Sequence, residues 1–158
     1  MKKDITLKLV STRYESDRTT ANRPITADSE SAEPQRIELM TEATLTDEGD
    51  EVRISYNEGE MSGMEGSVTT LIFHKSRPDT LTMYRSGIAG TTMVFSPGMR
   101  HNCVYNTPVM PFKMSLYTRT LINHLLDEGT LDIDYVTDLA GSGLARTFLQ
   151  LTVYEEKK

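Results

Sequence analysis

The stretch Arg36-Ile37-Glu38-Leu39-Met40-Thr41-Glu42-Ala43-Thr44-Leu45 decides the fold class. Ile37, Leu39, Ala43 and Leu45 fall on one side of an extended chain, and Arg36, Glu38, Met40, Glu42 and Thr44 on the other. Successive side chains of a strand point to opposite faces, so this period of two turns one face to a core and the other to water. Asp47, Glu48, Gly49 and Asp50 then read as a turn, and Val52, Ile54 and Tyr56 resume the alternation. The two runs predict a β-hairpin.

The same pattern extends both ways. Toward the N-terminus, Ile5, Leu7 and Leu9 alternate with Thr6, Lys8 and Val10. Toward the C-terminus, strands are predicted at 68–74, around Leu81 and Met83, at 91–95 and at 102–106, with Ser96-Pro97-Gly98 and Thr107-Pro108 as stops. Phe112, Met114 and Leu116 then alternate with Lys113, Ser115 and Tyr117. Beyond them Leu121, Ile122, Leu125 and Leu126 fit one helical face, while Leu121 and Leu125 also fit a strand. The Thr-rich flanks favour one long strand, bent or bulged. Leu131, Ile133 and Tyr135 oppose Asp132 and Asp134, and Thr147, Leu149, Leu151 and Val153 form the last strand after the turn Gly141-Ser142-Gly143. About nine or ten short strands and no helix predict an all-β antiparallel barrel or sandwich.

Composition agrees. The chain has 158 residues, enough for one domain with a real core. Thr occurs 21 times, Val 8 times and Ile 8 times, an excess of β-branched residues that favours strands. These proportions exclude collagen, a coiled coil and a multi-pass helical membrane protein. With 23 acidic and 17 basic residues the net charge is −6, which argues against nucleic acid as a partner. The single cysteine, Cys103, cannot form an intramolecular disulfide. Lys8 and the polar stretch from Ser11 forbid the apolar run of a signal peptide. A cytoplasmic protein of bacterial type, with no membrane partner, is expected. One segment breaks the pattern: residues 15–35 are polar, rich in Ser, Glu and Pro, and predict a long disordered loop within an otherwise single 1–158 domain.

Several short motifs in a fixed order carry a resemblance. They are 36–42 (RIELMTE), 54–58 (ISYNE), 63–70 (GMEGSVTT), 84–87 (YRSG), 93–95 (MVF), 105–108 (YNTP) and the strand at Thr118. Together, over roughly residues 4–154 apart from 15–35, the sequence resembles the YwiB-like family of bacterial proteins of unknown function. The resemblance implies a single closed antiparallel β-barrel of about 8–10 strands, calycin- or lipocalin-like in shape, with no established activity. Two departures concern turn geometry. Ala43 stands where the family tends to have Gly, and Val109-Met110-Pro111 follows Thr107-Pro108 where an aromatic residue and a Gly are usual.

Candidate chemistry is sparse. Glu58 and Glu60 would share a face with Tyr56 if the strand ran on, as paired carboxylates for acid–base work require. Gly59 and the glycines that follow end the strand, so pairing of Glu58 with a cation such as Arg85 or Arg119 is the simpler reading. His101 and Cys103 are two apart, half of a metal or thiol–imidazole site. His74 and His124 are remote in sequence and no CxxC or HExxH spacing occurs, so a buried thiol and a rim histidine are expected, with no metal and no cofactor. The glycine pairs are not phosphate loops. No nucleophile, base and orienting group stand together, so no catalytic residue is assigned and a non-enzymatic role is favoured.

A barrel of this size either fills its interior or holds one small ligand. Tyr56, Glu58, Arg85, Tyr105, Tyr117 and Arg119 are the expected polar groups of its interior or mouth. They would orient a small amphipathic or anionic molecule, because the arginine fork matches carboxylate and phosphate. The nine methionines suit an adaptable apolar lining as well as ordinary core filling. The alternative is a structural or protein-interaction module with a side-chain-filled barrel, working through residues 15–35 or an edge strand.

Overall fold

The computed structural model describes residues 1–16, 34–57, 67–86, 90–106, 110–139 and 143–155. Among them there is no helix. Ten strands follow one another: β1 (Lys2–Ser16), β2 (Gln35–Glu48), β3 (Glu51–Asn57), β4 (Val68–His74), β5 (Arg77–Ser86), β6 (Thr91–Phe95), β7 (Arg100–Asn106), β8 (Pro111–His124), β9 (Thr130–Leu139) and β10 (Leu144–Glu155). All belong to one antiparallel sheet in the order β6-β5-β4-β3-β2-β1-β10-β9-β8-β7. Every neighbour in that order is a neighbour in sequence except β1 and β10, whose pairing brings the two ends of the chain together.

The sheet curls so that its edge strands β6 and β7 pack side by side, giving a nearly closed barrel. The ladder is missing at this seam among the described residues, and side chains and turn amides hold it instead. Thr91 Oγ1 donates to the Val104 carbonyl at 3.2 Å. Thr118 of β8 is fully buried and clasps the turn between β6 and β7. Its hydroxyl accepts from Ser96 N at 3.2 Å, its carbonyl from Gly98 N at 2.8 Å, and its amide donates to the Met99 carbonyl at 3.2 Å. Gly98 takes φ +77°, which the Ser-Pro-Gly stop anticipates.

Register makes the inner face explicit. Ile5, Leu7, Ala43, Leu45, Val52, Ile54, Leu71, Phe73, Leu81, Phe95, Leu116, Leu131, Ile133, Leu149 and Leu151 all point inward and are buried. β8 is the long strand expected to be bent or bulged, and its register shifts between Thr118 and Thr120. Arg119 and Thr120 both face out there, so inward positions change from even numbers before the bulge to Leu121 and Leu125 after it. Three expectations about loops change. Glu15 and Ser16 continue β1, and Gln35 opens β2, because β1 is long enough to pair on both sides. Ala43 lies mid-strand opposite Ile5 and Tyr56, so no turn is formed there. Pro111 begins β8 and Val109 lies outside the described residues, as does the rest of the predicted disordered loop, residues 17–33.

Candidate functional site

The two ends of the barrel differ in kind. At one end β2–β3, β4–β5, β6–β7 and β8–β9 are joined by short turns, and the interior is filled by Val52, Phe73, Leu81, Phe95 and Leu131, each at most 3% exposed. At the other end odd-numbered strands finish and even-numbered strands begin. There the inward positions turn polar: Ser11 and Arg13 on β1, Gln35 on β2, Tyr56 on β3, Thr69 on β4, Arg85 on β5, Thr91 on β6 and Thr147 on β10. Ser67, next to β4 at this end, is fully buried.

Two rungs organise these groups. Tyr56, Thr69, Arg85 and Thr91 lie opposite one another across β3 to β6. Arg85 Nε donates to Thr69 Oγ1 at 3.3 Å. Gln35, Arg13, Thr147, Tyr135 and Thr118 form the second rung across β2, β1, β10, β9 and β8. Arg13 Nε holds Glu15 Oε1 at 2.9 Å.

Tyr135 links the polar end to the core. Its ring meets Phe95 edge-on, with centroids 4.9 Å apart and planes at 68°. Burial pushes its phenol above the ordinary value; a hydrogen bond with Thr147 and the positive charges of Arg13 and Arg85 oppose that rise. Both guanidinium groups therefore act on one phenol although they stand on β1 and β5.

The six residues singled out from the sequence divide. Tyr56 and Arg85 face inward on either side of Thr69 in the first rung. Tyr105 lies on β7 opposite Phe112, and its side chain is outside what is described. Glu58, with Glu60, also lies outside the described residues. Tyr117 and Arg119 are on the outer wall and not in the interior. Tyr117 sits between the fully buried Leu116 and Thr118, so alternation turns it out, where the Arg100 guanidinium lies 5.7 Å from its ring centroid. Arg119 occupies the bulge and faces Asp134, its Nε 3.7 Å from Oδ2. Sequence reading missed Arg13 and Tyr135 as site residues. Their signal was parity: Arg13 continues the face of Ile5, Leu7 and Leu9, and Tyr135 that of Leu131 and Ile133.

Cys103 sits across the seam from Thr91. Burial raises its thiol above the usual range, and a hydrogen bond with Thr91 opposes this only in part. A thiol held protonated is a poor nucleophile. Among the described residues no three His, Cys, Asp or Glu side chains converge as a metal site would require. No helix among them is long and apolar enough to cross a membrane.

Comparison with known proteins bears on the fold. A family model described as a domain of unknown function, DUF1934, matches residues 22–151. Among solved structures, the crystal structure of the ywiB protein from Bacillus subtilis superposes with a TM-score of 0.67. It is 16% identical over 96% of this chain and 92% of that one, a likeness that concerns the fold alone. No curated protein matches the chain.

Proposed function

The chain belongs to the DUF1934 family, a domain of unknown function, and we propose that it works as a small-molecule-binding barrel. The observation that supports this is the asymmetry of the interior. One end is filled by close-packed apolar side chains, and the other gathers Arg13, Arg85, Tyr56, Tyr135, Ser67 and Thr69 on the inward face. A small amphipathic or anionic ligand entering from the polar end would meet these charged and hydroxyl groups and pack its apolar part against the filled half. The apolar plug limits such a ligand to the polar half. The role is binding rather than catalysis, in the cytoplasm, with a small molecule and not nucleic acid or a membrane as partner.

The filled half also supports a second reading, a structural or interaction module whose working surface is the β6–β7 seam. Native mass spectrometry of the protein purified from its own source separates the two. A reproducible adduct of small mass, recovered by denaturing extraction and lost on Arg85→Met, is the expected result. A bare mass, with protein partners alone, overturns the binding role.

A further inference from the structure

We propose that the free edge of β2 is a dimerisation surface: residues 35–39 pair antiparallel with the same stretch of a second copy of this chain, about a two-fold axis at Ile37. The inference is independent of the binding role.

Three observations carry this. First, β2 outruns its neighbour. Its ladder with β1 runs from Gln35 to Thr46, whereas its ladder with β3 begins only at Ala43. Among the described residues, 35–42 therefore have a strand partner on the β1 side only. Alternate amides and carbonyls of that stretch turn to the open side, which is a template for one more strand. Second, the edge is not blunted. Lone edges are guarded by bulges, prolines or inward-pointing charges. Within 35–39 the register with β1 is regular, and the inward positions hold Gln35, Ile37 and Leu39. Ile37 is 45% exposed, and Gln35, Arg36 and Glu38 are exposed beside it.

Third, the charges of this edge match themselves. Arg36 and Glu38 share the outer face and meet along the strand, Nη2 to Oε2 at 3.6 Å, while Lys8 of β1 holds the other carboxylate oxygen at 3.1 Å. Positions two apart on one strand are separated by about 6.6 Å. Positions directly opposite on paired strands approach to about 4.5–5.5 Å. An axis at Ile37 sets Arg36 of each copy opposite Glu38 of the other, twice over, with the two Ile37 side chains against each other. An axis at Glu38 would set two carboxylates face to face. An axis at Leu39 would bring residue 35 of the second copy to Ala43, a place that Tyr56 of β3 already holds. Charge and space thus select one register, and its two-fold symmetry closes the assembly at two copies. The paired stretch is short, so the dimer is expected to be reversible and to form at micromolar concentrations or above.

Sedimentation velocity of the full chain, from about 10 µM to about 1 mM, tests the inference. A concentration-dependent equilibrium between monomer and dimer is expected. Ile37→Lys, which sets two ammonium groups on the axis, is expected to leave monomer throughout. Arg36→Glu or Glu38→Arg alone sets like charges opposite each other and should weaken the dimer by about tenfold. The two single variants, mixed, should associate with each other in preference to themselves. The double exchange, Arg36→Glu with Glu38→Arg, should restore self-association. Circular dichroism melts confirm that each variant is folded, and the mixing experiment keeps the test valid if Ile37→Lys is not. A chain that stays monomeric at the highest concentration, or a dimer that Ile37→Lys leaves intact, overturns the surface. Charge variants that show no preference for each other overturn the antiparallel pairing about Ile37.

Discussion

Arg146 grips Asp134 with two parallel hydrogen bonds on the outer wall of the barrel, Nε to Oδ1 at 3.1 Å and Nη2 to Oδ2 at 2.8 Å. The pair joins β9 to β10, and both side chains are only 12–13% exposed. The Arg146 guanidinium also lies 4.7 Å from the centroid of Phe148, whose ring meets Tyr14 edge-on. A bidentate, largely desolvated pair contributes far more than an exposed one, because the partner left behind keeps its desolvation penalty. Arg146→Met is expected to destabilise the fold by about 2–3 kcal/mol in urea denaturation. The exposed pair of Arg53 with Glu51 is the control: Arg53→Met should cost less than about 0.5 kcal/mol. Equal effects would show that the outer cluster adds nothing beyond surface charge.

Phe95 is the hinge between the plugged and polar halves. It is fully buried, pairs with Leu81 across β5 and β6, and packs edge-to-face on Tyr135. Phe95→Ala is expected to lose about 3–5 kcal/mol of stability, and Phe95→Leu clearly less. The same truncation removes the support that holds the Tyr135 ring, so any probe bound at the polar end should weaken too. A loss below about 1 kcal/mol would mean that the core collapses freely around residue 95.

Gly129 ends the turn between β8 and β9 with φ +75°. Its amide donates to the His124 carbonyl at 2.8 Å, and its own carbonyl accepts from Val153 N at 2.7 Å, which ties the turn to β10. A Cβ here would stand 3.1 Å from the Val153 carbonyl oxygen in a backbone region that L-residues avoid. Gly129→Ala should therefore lower stability by about 1–2 kcal/mol. Gly49→Ala, at φ +60° but in open space, should cost no more than Gly129→Ala, and thermal melts of the two rank them. A reversed ranking would remove the steric argument.

Tyr135 makes stability fall at alkaline pH. Burial raises its folded-state pKa above the ordinary 10.0, so above pH 10 the folded protein holds a proton that the unfolded chain releases. Stability rises with pH only where the unfolded state binds more protons. Here the folded state binds more, so the contribution is complete below about pH 10 and is lost as pH climbs through the higher folded value. Tyr135→Phe should flatten the stability profile between pH 9.5 and 11 as probed by urea titration, a range set by the ordinary phenol pKa of about 10. An unchanged slope would place the alkaline loss on other groups. Because the charges of Arg13 and Arg85 oppose the rise, Arg13→Met should steepen the loss and move it to higher pH.

Much of the barrel was legible strand by strand. Ile37, Leu39, Ala43 and Leu45 share the inward face, as their spacing indicates, although Ile37 at the polar end is 45% exposed. The long strand expected to bend or bulge beyond Tyr117 does so between Thr118 and Thr120. The site was less legible. Tyr117 and Arg119 drew attention as polar groups of a barrel, yet parity with Leu116 and Thr118 turns both outward. Arg13 went unread because the alternation of the first strand was followed only as far as Val10, whereas pairing to β2 and β10 on both sides carries β1 to Ser16. A strand with two partners satisfies its backbone groups at every position and tolerates polar side chains that a lone strand would not.

What the sequence by itself determined is local. Alternation sets which residues of each strand share a face, and Gly49, Gly98 and Gly129 set where tight turns close, because both depend only on neighbours along the chain. What only the tertiary structure decided is which strands meet and which end stays polar. The pairing of β1 with β10 joins residues more than 100 positions apart, and the closure of β6 against β7 brings together the two edges of the whole sheet. Curling one continuous sheet until its edges meet fixes those distances, and no period in the chain encodes the diameter or stagger at which it closes.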